Sequence, residues 1–230
     1  MAVVSSVVYF LLWYYPTGMP RDSGTAGYVF LMTMLFFLFQ SSWGQWICAF
    51  APSLTVISNV LPFFFVMVSL FNGIVRPYAQ MPAFWRVWMY WVNPTTYWIG
   101  GVLAAVLRDL TVECAADETA LFNPPPGQTC GSYAAEFVRA TGHGYIVDPD
   151  ATSRCGYCPY RSGVEYLATL NVTPEQKWRD CGIFIVYVCT NWLLVYFFIY
   201  TVRVRGWGRG LRPLLARLGR LVVDRRKNGI

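Results

Sequence analysis

Residues 81–98 have the sequence MPAFWRVWMYWVNPTTYW, and this stretch decides how the rest of the chain is arranged. It is apolar enough to cross a membrane, yet it contains Arg86 and many Trp and Tyr residues, which prefer the membrane–water interface. Pro94 removes a helical hydrogen bond and restricts Asn93 before it, so the stretch predicts two short helices. Because broken backbone at membrane depth must be buried in protein or line a cavity, we expect a re-entrant pair that dips into the outer leaflet and returns.

The composition of the whole chain is that of a membrane protein. The 230 residues are 56% hydrophobic and 18% aromatic, with a net charge of +6. No charged residue occurs in residues 23–75 or 181–202, whereas ten of the twelve acidic residues lie in residues 109–180. Charge-free blocks without polar faces at helical period exclude a large soluble core, and they predict membrane spans joined by aqueous segments.

These blocks predict an all-α polytopic membrane protein with one partial and three full transmembrane helices. Residues 2–15 are too short for a complete span, so we expect the beginning of that helix to be missing. Residues 28–50, 53–75 and 181–202 each have the length of a full span, and Ser53 is the expected N-cap of the second. The predicted organisation is membrane and re-entrant helices in 1–107, an extracellular segment in 108–180, the final transmembrane helix in 181–204 and a basic tail in 205–230.

Basic residues set the predicted orientation. Nine of the eighteen lie in residues 203–227, directly after the last span, and the positive-inside rule places this C-terminal tail in the cytosol. The same rule explains the basic tail without nucleic acid, which is therefore not a predicted partner. Leu and Val recur in the tail at helical spacing, which favours an amphipathic helix on an anionic leaflet. A solvated and partly disordered tail is the alternative.

The last span then places residues 108–180 outside the cell. The re-entrant prediction places residues 16–27 outside as well, whereas a single crossing by residues 81–107 would invert every earlier loop. Arg21 and Asp22 are the only charged residues in the loops before residue 75, and they cannot decide between the two orientations. The broken helix at Asn93-Pro94 favours the re-entrant one.

Four cysteines lie in the predicted extracellular segment, where disulfides are permitted. Cys114, Cys130, Cys155 and Cys158 allow three connectivities. We favour the nested pairing of Cys114 with Cys158 and Cys130 with Cys155, because each of the two close cysteines then joins a distant one. A zinc ribbon would need a second closely spaced pair, and a redox motif would need a βαβ context.

The same segment contains one candidate modification site. Asn171-Val172-Thr173 fits the pattern for N-glycosylation and would lie outside the cell. The proline that follows directly leaves the occupancy of this site open.

A series of motifs rich in aromatic residues, Gly and Pro runs through the chain in a fixed order. They are WYYPTG at 13–18, FNG at 71–73, PAFW at 82–85, WMY at 88–90, NPTTY at 93–97, PPGQTC at 125–130, CGYC at 155–158 and WRDCGI at 178–183. In order and spacing they resemble the second membrane domain of the pleiotropic drug resistance subfamily of fungal ABC exporters, which is ABCG-like. The resemblance covers nearly all of residues 9–205.

This resemblance implies an ATP-driven exporter that moves hydrophobic drugs or lipids across the plasma membrane, and it favours the re-entrant interpretation. It also implies ATP and Mg²⁺ as cofactors of nucleotide-binding domains. Those domains and the first membrane domain would be partners, beside the lipid bilayer and a hydrophobic substrate. The chain lacks the GxxxxGK[ST] loop that cradles nucleotide phosphates. No enzymatic activity is therefore expected of it alone, and no catalytic or metal-binding residue is predicted.

One face of the span at residues 53–75 is the predicted substrate-cavity surface. Its members recur at spacings of three and four and combine small, polar and apolar side chains: Ser58, Pro62, Phe65, Val66 and Ser69. A packing seam of small residues is the alternative. The resemblance implies that this span lines the central cavity and that Ile74 and Val75 lie at the outer gate.

Two classes of function follow from these observations. The spans carry no acid, base or His, which excludes a proton relay, an intramembrane protease and an ion-coupled carrier. The favoured function is the membrane-domain portion of an exporter. The alternative is a non-transporting membrane scaffold or surface antigen, or a non-functional gene fragment.

Overall fold

The computed structural model describes residues 1–51, 53–115 and 117–205. Eight α-helices and three short β-strands account for most of this part of the chain. The helices are α1 (Ala2–Tyr14), α2 (Ser23–Phe50), α3 (Leu54–Leu70), α4 (Ala83–Val92), α5 (Pro94–Leu107), α6 (Cys130–Thr141), α7 (Gly163–Thr169) and α8 (Lys177–Phe198). The strands are β1 (Ala120–Phe122), β2 (Tyr145–Ile146) and β3 (Cys155–Cys158), and a π-helical turn at Ile199–Val204 continues α8.

Helices α1 and α2 form an antiparallel hairpin. The buried Tyr14 ends α1, and its hydroxyl donates to the Pro20 carbonyl oxygen at 2.6 Å, which holds the connecting loop. Asp22 caps α2 by accepting a hydrogen bond from the Thr25 backbone N–H at 2.7 Å. This bond to the charged form lowers the pKa of the Asp22 carboxyl. The loop is therefore fixed at both ends.

Helix α8 packs along α2 and runs parallel to it. Aromatic pairs mark the register: Tyr28 with Trp178, Phe39 with Phe184 and Trp46 with Phe198, with ring centroids 5.1, 5.4 and 5.9 Å apart. The buried apolar core follows this contact and is completed by residues of α1 and α5. Because α2 and α8 advance in the same direction, their first residues lie at one end of the molecule and their last residues at the other.

Helix α3 begins after the predicted N-cap residue, Ser53, but ends earlier than predicted, at Leu70. A turn follows, in which the Asn72 side-chain oxygen accepts a hydrogen bond from the Ile74 backbone N–H at 2.9 Å. Gly73 has a φ of +91°, and a Cβ at this position would lie 2.9 Å from a ring carbon of Tyr90. Only glycine therefore fits the turn, and this turn stops the helix.

Residues 81–98 form two helices that meet at Asn93, which is the break that the sequence predicts. Pro94 is the first residue of α5, where its fixed φ suits a helix and its missing N–H costs nothing. The Trp98 indole N–H donates to the Met32 carbonyl oxygen at 3.0 Å, which anchors α5 to α2.

The part of the chain between α5 and α8 contains a three-stranded antiparallel sheet in the order β1-β3-β2. Ala120 lies opposite Tyr157, and Tyr145 lies opposite Cys158. This sheet corrects the prediction of an all-α fold: the chain is mostly helical, with a small sheet outside the helical core. Strands of two to four residues are too short to show the alternation of apolar and polar residues by which strands are recognised in a sequence.

Two helices in the described part of the chain are long and apolar enough to cross a membrane, at Ser23–Ala49 and Pro174–Val202. The other two predicted spans are shorter, with 13 residues in α1 and 17 in α3. At 1.5 Å per residue α3 is about 25 Å long, against a hydrocarbon core of ~30 Å. The count of one partial and three full spans remains a prediction. The predicted tail helix lies outside the described residues.

Candidate functional site

A large apolar pocket lies between α2, α3, α8 and the junction of α4 with α5. Its volume is about 580 Å³, which is within the range of pockets that hold drug-sized compounds. Aromatic side chains such as Phe39, Trp43, Phe64 and Trp98 make up much of its wall, and no lining residue in the described chain is charged. Such a wall favours an apolar ligand, because it offers dispersion contacts and would leave an ion without partners.

Asn93 lines this pocket where α3 meets the α4–α5 junction. The residue is 2% exposed, and its Nδ2 donates to the Val68 carbonyl oxygen at 2.8 Å. Its Oδ1 accepts hydrogen bonds from the Thr95 backbone N–H at 3.1 Å and from the Thr95 hydroxyl at 2.8 Å, which caps α5. One amide therefore satisfies the end of α3 and the beginning of α5. The sequence predicts the break at Asn93 but not this contact with α3.

Two polar groups in the wall of the pocket have no hydrogen-bond partner among the described residues. Asn191, on α8, is 7% exposed, and its Nδ2 makes no hydrogen bond. The indole N–H of Trp46, on α2, is also buried without an acceptor. Leaving such a group unpaired costs roughly 1–3 kcal/mol. Neither residue was predicted as a site residue, although an Asn within an uncharged span is a signal that could have identified Asn191.

The predicted substrate face of α3 is divided between this pocket and the outer surface. Phe65 and Ser69 line the pocket. Ser58, Pro62 and Val66 are exposed and lie outside it. No residue of α3 is buried, so the described chain does not enclose these five residues in one site.

The predicted gate residues lie in the turn that follows α3. Ile74 is 41% exposed and Val75 is 63% exposed. The backbone N–H groups of both residues donate to the side-chain oxygen of Asn72, at 2.9 and 3.5 Å. Their backbone is therefore held by one side chain, while their own apolar side chains remain exposed.

A smaller and more polar pocket, of about 230 Å³, lies between α4, α5 and the segment that leads into α8. The buried Asp180 carboxylate accepts hydrogen bonds from Arg179, the shorter at 2.8 Å. Gly100 faces this carboxylate closely, because a Cβ at Gly100 would lie 3.4 Å from Asp180 Oδ2. The Thr96 hydroxyl is buried in the wall without a partner among the described residues. The Asp180 carboxylate of this pocket is therefore paired with the guanidinium of Arg179.

In the segment between α5 and α8, Cys114 is bonded to Cys158 and Cys130 to Cys155. Both bonds start from β3, the central strand of the sheet, and reach residues 44 and 25 positions earlier in the chain. Asn171, the glycosylation candidate, is exposed and has a φ of 61° in the loop before α8. The nested bonds and the candidate modification site therefore lie in the same segment of the chain, between α5 and α8.

Among the described residues, no three His, Cys, Asp or Glu side chains lie close enough together to hold a metal ion. The sequence also has no phosphate-binding loop of the GxxxxGK[ST] type. The residues present do not fit ATP or Mg²⁺, and we assign no reaction step to this chain.

Comparisons with known proteins agree with the resemblance that the motifs carry. Residues 1–107 match the ABC-2 type transporter family. Over 228 residues, or 99% of the chain, the sequence is 62% identical to the ABC multidrug transporter atrF of Aspergillus fumigatus. It is 38% identical over 195 residues, or 84% of the chain, to the ABC multidrug transporter H of the same fungus. It is 35% identical over 209 residues, or 88% of the chain, to the brefeldin A resistance protein of Schizosaccharomyces pombe.

The chain spans only a small part of these relatives, namely 15% of the length of atrF and 14% of the length of each of the other two. The resemblance to fungal drug-resistance ABC transporters is confirmed, and the similarity extends beyond residues 1–107 to nearly the whole chain.

Proposed function

We propose that this chain, which carries ABC-2 type transporter sequence in residues 1–107, forms part of the translocation path of an ATP-driven exporter of hydrophobic drugs or lipids. The observation that carries the proposal is α3, an apolar helix with no buried residue beside an uncharged pocket. An apolar helix whose residues all remain partly exposed in the described part of the chain needs other elements to cover it and complete a path. Half of a shared cavity would have this form.

The re-entrant placement of α4 and α5 is the second part of the proposal. The Tyr187 hydroxyl donates to the Val92 carbonyl oxygen at 2.8 Å. Tyr187 is ten residues beyond Lys177, the first residue of α8, so this contact lies about 15 Å along the helix from its beginning. Further along the chain, Gly100 lies beside Asp180, near the beginning of α8. Helix α5 therefore runs antiparallel to α8, back toward the end where α8 begins. A depth of about 15 Å is half of the ~30 Å hydrocarbon core, which supports a hairpin that enters and returns.

The parallel packing of α2 and α8, together with the basic C-terminal tail, supports the orientation that we propose. Both helices begin at the end that carries the disulfide-bonded segment, so we place that segment, the loop at residues 16–22 and Asn171 outside the cell. Helices α1, α2, α3 and α8 then make up the one partial and three full crossings, with residues 205–230 in the cytosol. The plasma membrane is the compartment that suits both the disulfides and an exporter.

Within this topology, the exposed face of α3 is the substrate-facing wall. Ser58, Pro62 and Val66 are exposed on it, and a second membrane domain would cover them from the other side. Ile74 and Val75, exposed at the outer end of α3, would meet their counterparts there and close the outer gate.

The energy source lies outside this chain. ATP and Mg²⁺ are assigned to nucleotide-binding domains, which we propose as partners together with the first membrane domain. The residues of this chain would form the wall and the gate of the path, and they would bind the substrate by apolar contacts rather than by charge.

A transport assay on the intact transporter tests the proposal. The transporter that contains this segment is expressed in yeast without endogenous efflux pumps, and inside-out plasma-membrane vesicles are assayed for ATP-dependent uptake of a hydrophobic fluorescent dye. We expect uptake that requires ATP. Val66→Trp should lower it roughly tenfold, which corresponds to about 1.4 kcal/mol, because the larger ring obstructs the substrate-facing wall.

Val60→Trp is the matched control, because Val60 lies nearly opposite Ser58 and about 120° from Val66 around the axis of α3. It should leave uptake nearly unchanged. Correctly inserted transporter that shows no ATP-dependent uptake, with any of a panel of apolar dyes, would instead support a non-transporting membrane scaffold.

A further inference from the structure

The apolar pocket between α2, α3, α5 and α8 has features that a packing defect would not have. We propose that it is a binding site for an apolar compound that carries a hydroxyl or carbonyl oxygen, with Asn191 and Trp46 as its hydrogen-bonding residues. The site lies on the side of α3 that faces α2 and α8, whereas Ser58, Pro62 and Val66 lie outside it. That the bound compound is a transported substrate rests on the proposed function, but the binding itself does not.

Asn191 is the first observation that carries this inference. The residue is more than nine-tenths buried on α8, and its Nδ2 has no partner in the described chain. The neighbouring polar residue, Thr190, donates to the Val186 carbonyl oxygen at 2.8 Å and is satisfied within its own helix. A side-chain amide can donate and accept hydrogen bonds. It can therefore pair with a hydroxyl or a carbonyl oxygen of a ligand.

Trp46 is the second observation, and it comes from a different helix. Its ring packs on Phe198 of α8, with centroids 5.9 Å apart, and its indole N–H is buried without an acceptor. An indole N–H can only donate, so an acceptor oxygen is the group that would satisfy it. Phe198 is seven residues beyond Asn191, which places the two unpaired groups roughly 10 Å apart along α8.

Three other polar side chains at the pocket have internal partners, which sets them apart from Asn191 and Trp46. The Asn93 amide is already bonded to Val68 and Thr95. The Trp98 indole donates to the Met32 carbonyl oxygen and the Tyr187 hydroxyl to the Val92 carbonyl oxygen. Asn191 and Trp46 differ from these, because each is a residue of the pocket wall whose side-chain N–H is enclosed and unpaired in the described chain, and a rotation of the side chain would bring it to a ligand.

The size and the wall of the pocket define the rest of the ligand. A volume of about 580 Å³ suits one rigid compound of drug size. Phe39, Trp43 and Phe64 offer aromatic faces, and no charged residue of the described chain lines the site. A fused-ring compound with an oxygen at one or both ends fits these properties, whereas an organic cation or anion does not.

The test is equilibrium binding to the intact transporter in lipid nanodiscs, without ATP. The probes are a radiolabelled steroid ketone and the same steroid skeleton without the ketone oxygen. Asn191→Leu replaces the amide by an apolar group of similar size and should weaken ketone binding about tenfold, with the oxygen-free analogue bound within twofold of wild type. Trp46→Phe removes the N–H and keeps an aromatic ring. It should likewise weaken binding of the ketone and leave binding of the oxygen-free analogue nearly unchanged.

Thr190→Val is the matched control, because it removes a polar group one residue away that does not line the pocket. It should change neither affinity. Three results would each overturn the inference. The first is an equal effect of Asn191→Leu on both probes. The second is an unchanged affinity for the ketone in both Asn191→Leu and Trp46→Phe, and the third is no ketone binding to the wild type.

A photoactivatable derivative of the ketone gives a readout that does not depend on folding of the variants. Crosslinks to peptides of α2 and α8 in the wild type support the site, and crosslinks confined to the exposed face of α3 overturn it. Oxygen-selective binding without ATP-dependent export would overturn the proposed function and leave the site intact.

Discussion

The amide of Asn93 bonds to two helix ends at once. Its Nδ2 donates to Val68 near the end of α3, and its Oδ1 accepts hydrogen bonds from Thr95 at the start of α5. Pro94 interrupts the helix, but it does not determine how α5 is placed relative to α3. The hydrogen bonds of the buried Asn93 amide join these two helix ends, because few other partners compete for polar groups in an apolar environment.

Replacement of this side chain should loosen both helix ends. We expect Asn93→Ala to remove the cap of α5 and the shorter of the two hydrogen bonds that the Val68 carbonyl oxygen accepts, leaving only the one from the Thr95 hydroxyl at 3.2 Å, at a combined cost of about 2 kcal/mol. Amide hydrogen exchange at the beginning of α5 should then be roughly thirtyfold faster, which mass spectrometry of the intact transporter can measure.

Asn59→Ala is the control for this measurement, since Asn59 is exposed on α3. It should leave the exchange of α5 unchanged. Wild-type protection of α5 in Asn93→Ala would show that Pro94 and packing alone hold the junction.

At the scale of secondary-structure elements, β3 holds together distant parts of the segment between α5 and α8. It is the central strand of the sheet, and each of its two cysteines bonds to a partner in a different part of the segment: Cys158 to Cys114 before β1, and Cys155 to Cys130 at the start of α6. Strands this short bury little apolar surface, so the two covalent bonds are the main constraint on the segment.

Removal of either bond should destabilise the segment between α5 and α8. Chain-entropy estimates for loops of this length give about 3–4 kcal/mol for each disulfide. We expect Cys130→Ala with Cys155→Ala, and separately Cys114→Ala with Cys158→Ala, to make the segment sensitive to protease on the cell surface. Cys48→Ala removes a free cysteine and should have no effect. Full protease resistance in either double variant would contradict this role.

The elements differ in how much of them the sequence predicts. The break at Asn93-Pro94 and the start of α3 depend on local chemistry, and each occurs where it was predicted. The first loop is shorter than the predicted residues 16–27, because Asp22 caps α2 and the helix begins at Ser23. The end of α3 was placed too late, because the apolar run continues to Val75 although the Asn72 side chain and Gly73, with its φ of +91°, form a turn that ends the helix at Leu70. The sheet was missed because its strands are short and pair across distant parts of the chain.

The residues that line the pocket can also be predicted from the sequence only in part. A helical face on α3 can be read from spacing, but which of its residues line a pocket depends on where α2 and α8 pack. Phe65 and Ser69 therefore line the pocket while Val66 does not. The burial of Asn191 depends on that packing too, so its residue type alone could mark it as unusual but could not assign it to a site.

At the scale of the whole molecule, the parallel packing of α2 and α8 places the loop before α2 and the segment before α8 at the same end of the structure. Their aromatic pairs run in the same order from Tyr28 with Trp178 to Trp46 with Phe198. Two parallel helices that both cross a membrane must begin on the same side of it. The loop before α2 and the disulfide-bonded segment before α8 are therefore expected on one side, and a single crossing by residues 81–107 would separate them.

Cysteine labelling of the intact transporter distinguishes these topologies. In a background without the free cysteines, we expect Arg21→Cys, Ala83→Cys and Ala135→Cys to react with a membrane-impermeant maleimide on whole cells. All three positions are exposed. Ser53→Cys, at the start of α3, should react only after permeabilisation. Reaction of Arg21→Cys only after permeabilisation, with Ala135→Cys still reactive on whole cells, would mean that residues 81–107 cross the membrane. The contacts of Gly100 with Asp180 and of Val92 with Tyr187 oppose that outcome, because they return α5 to the end where α8 begins.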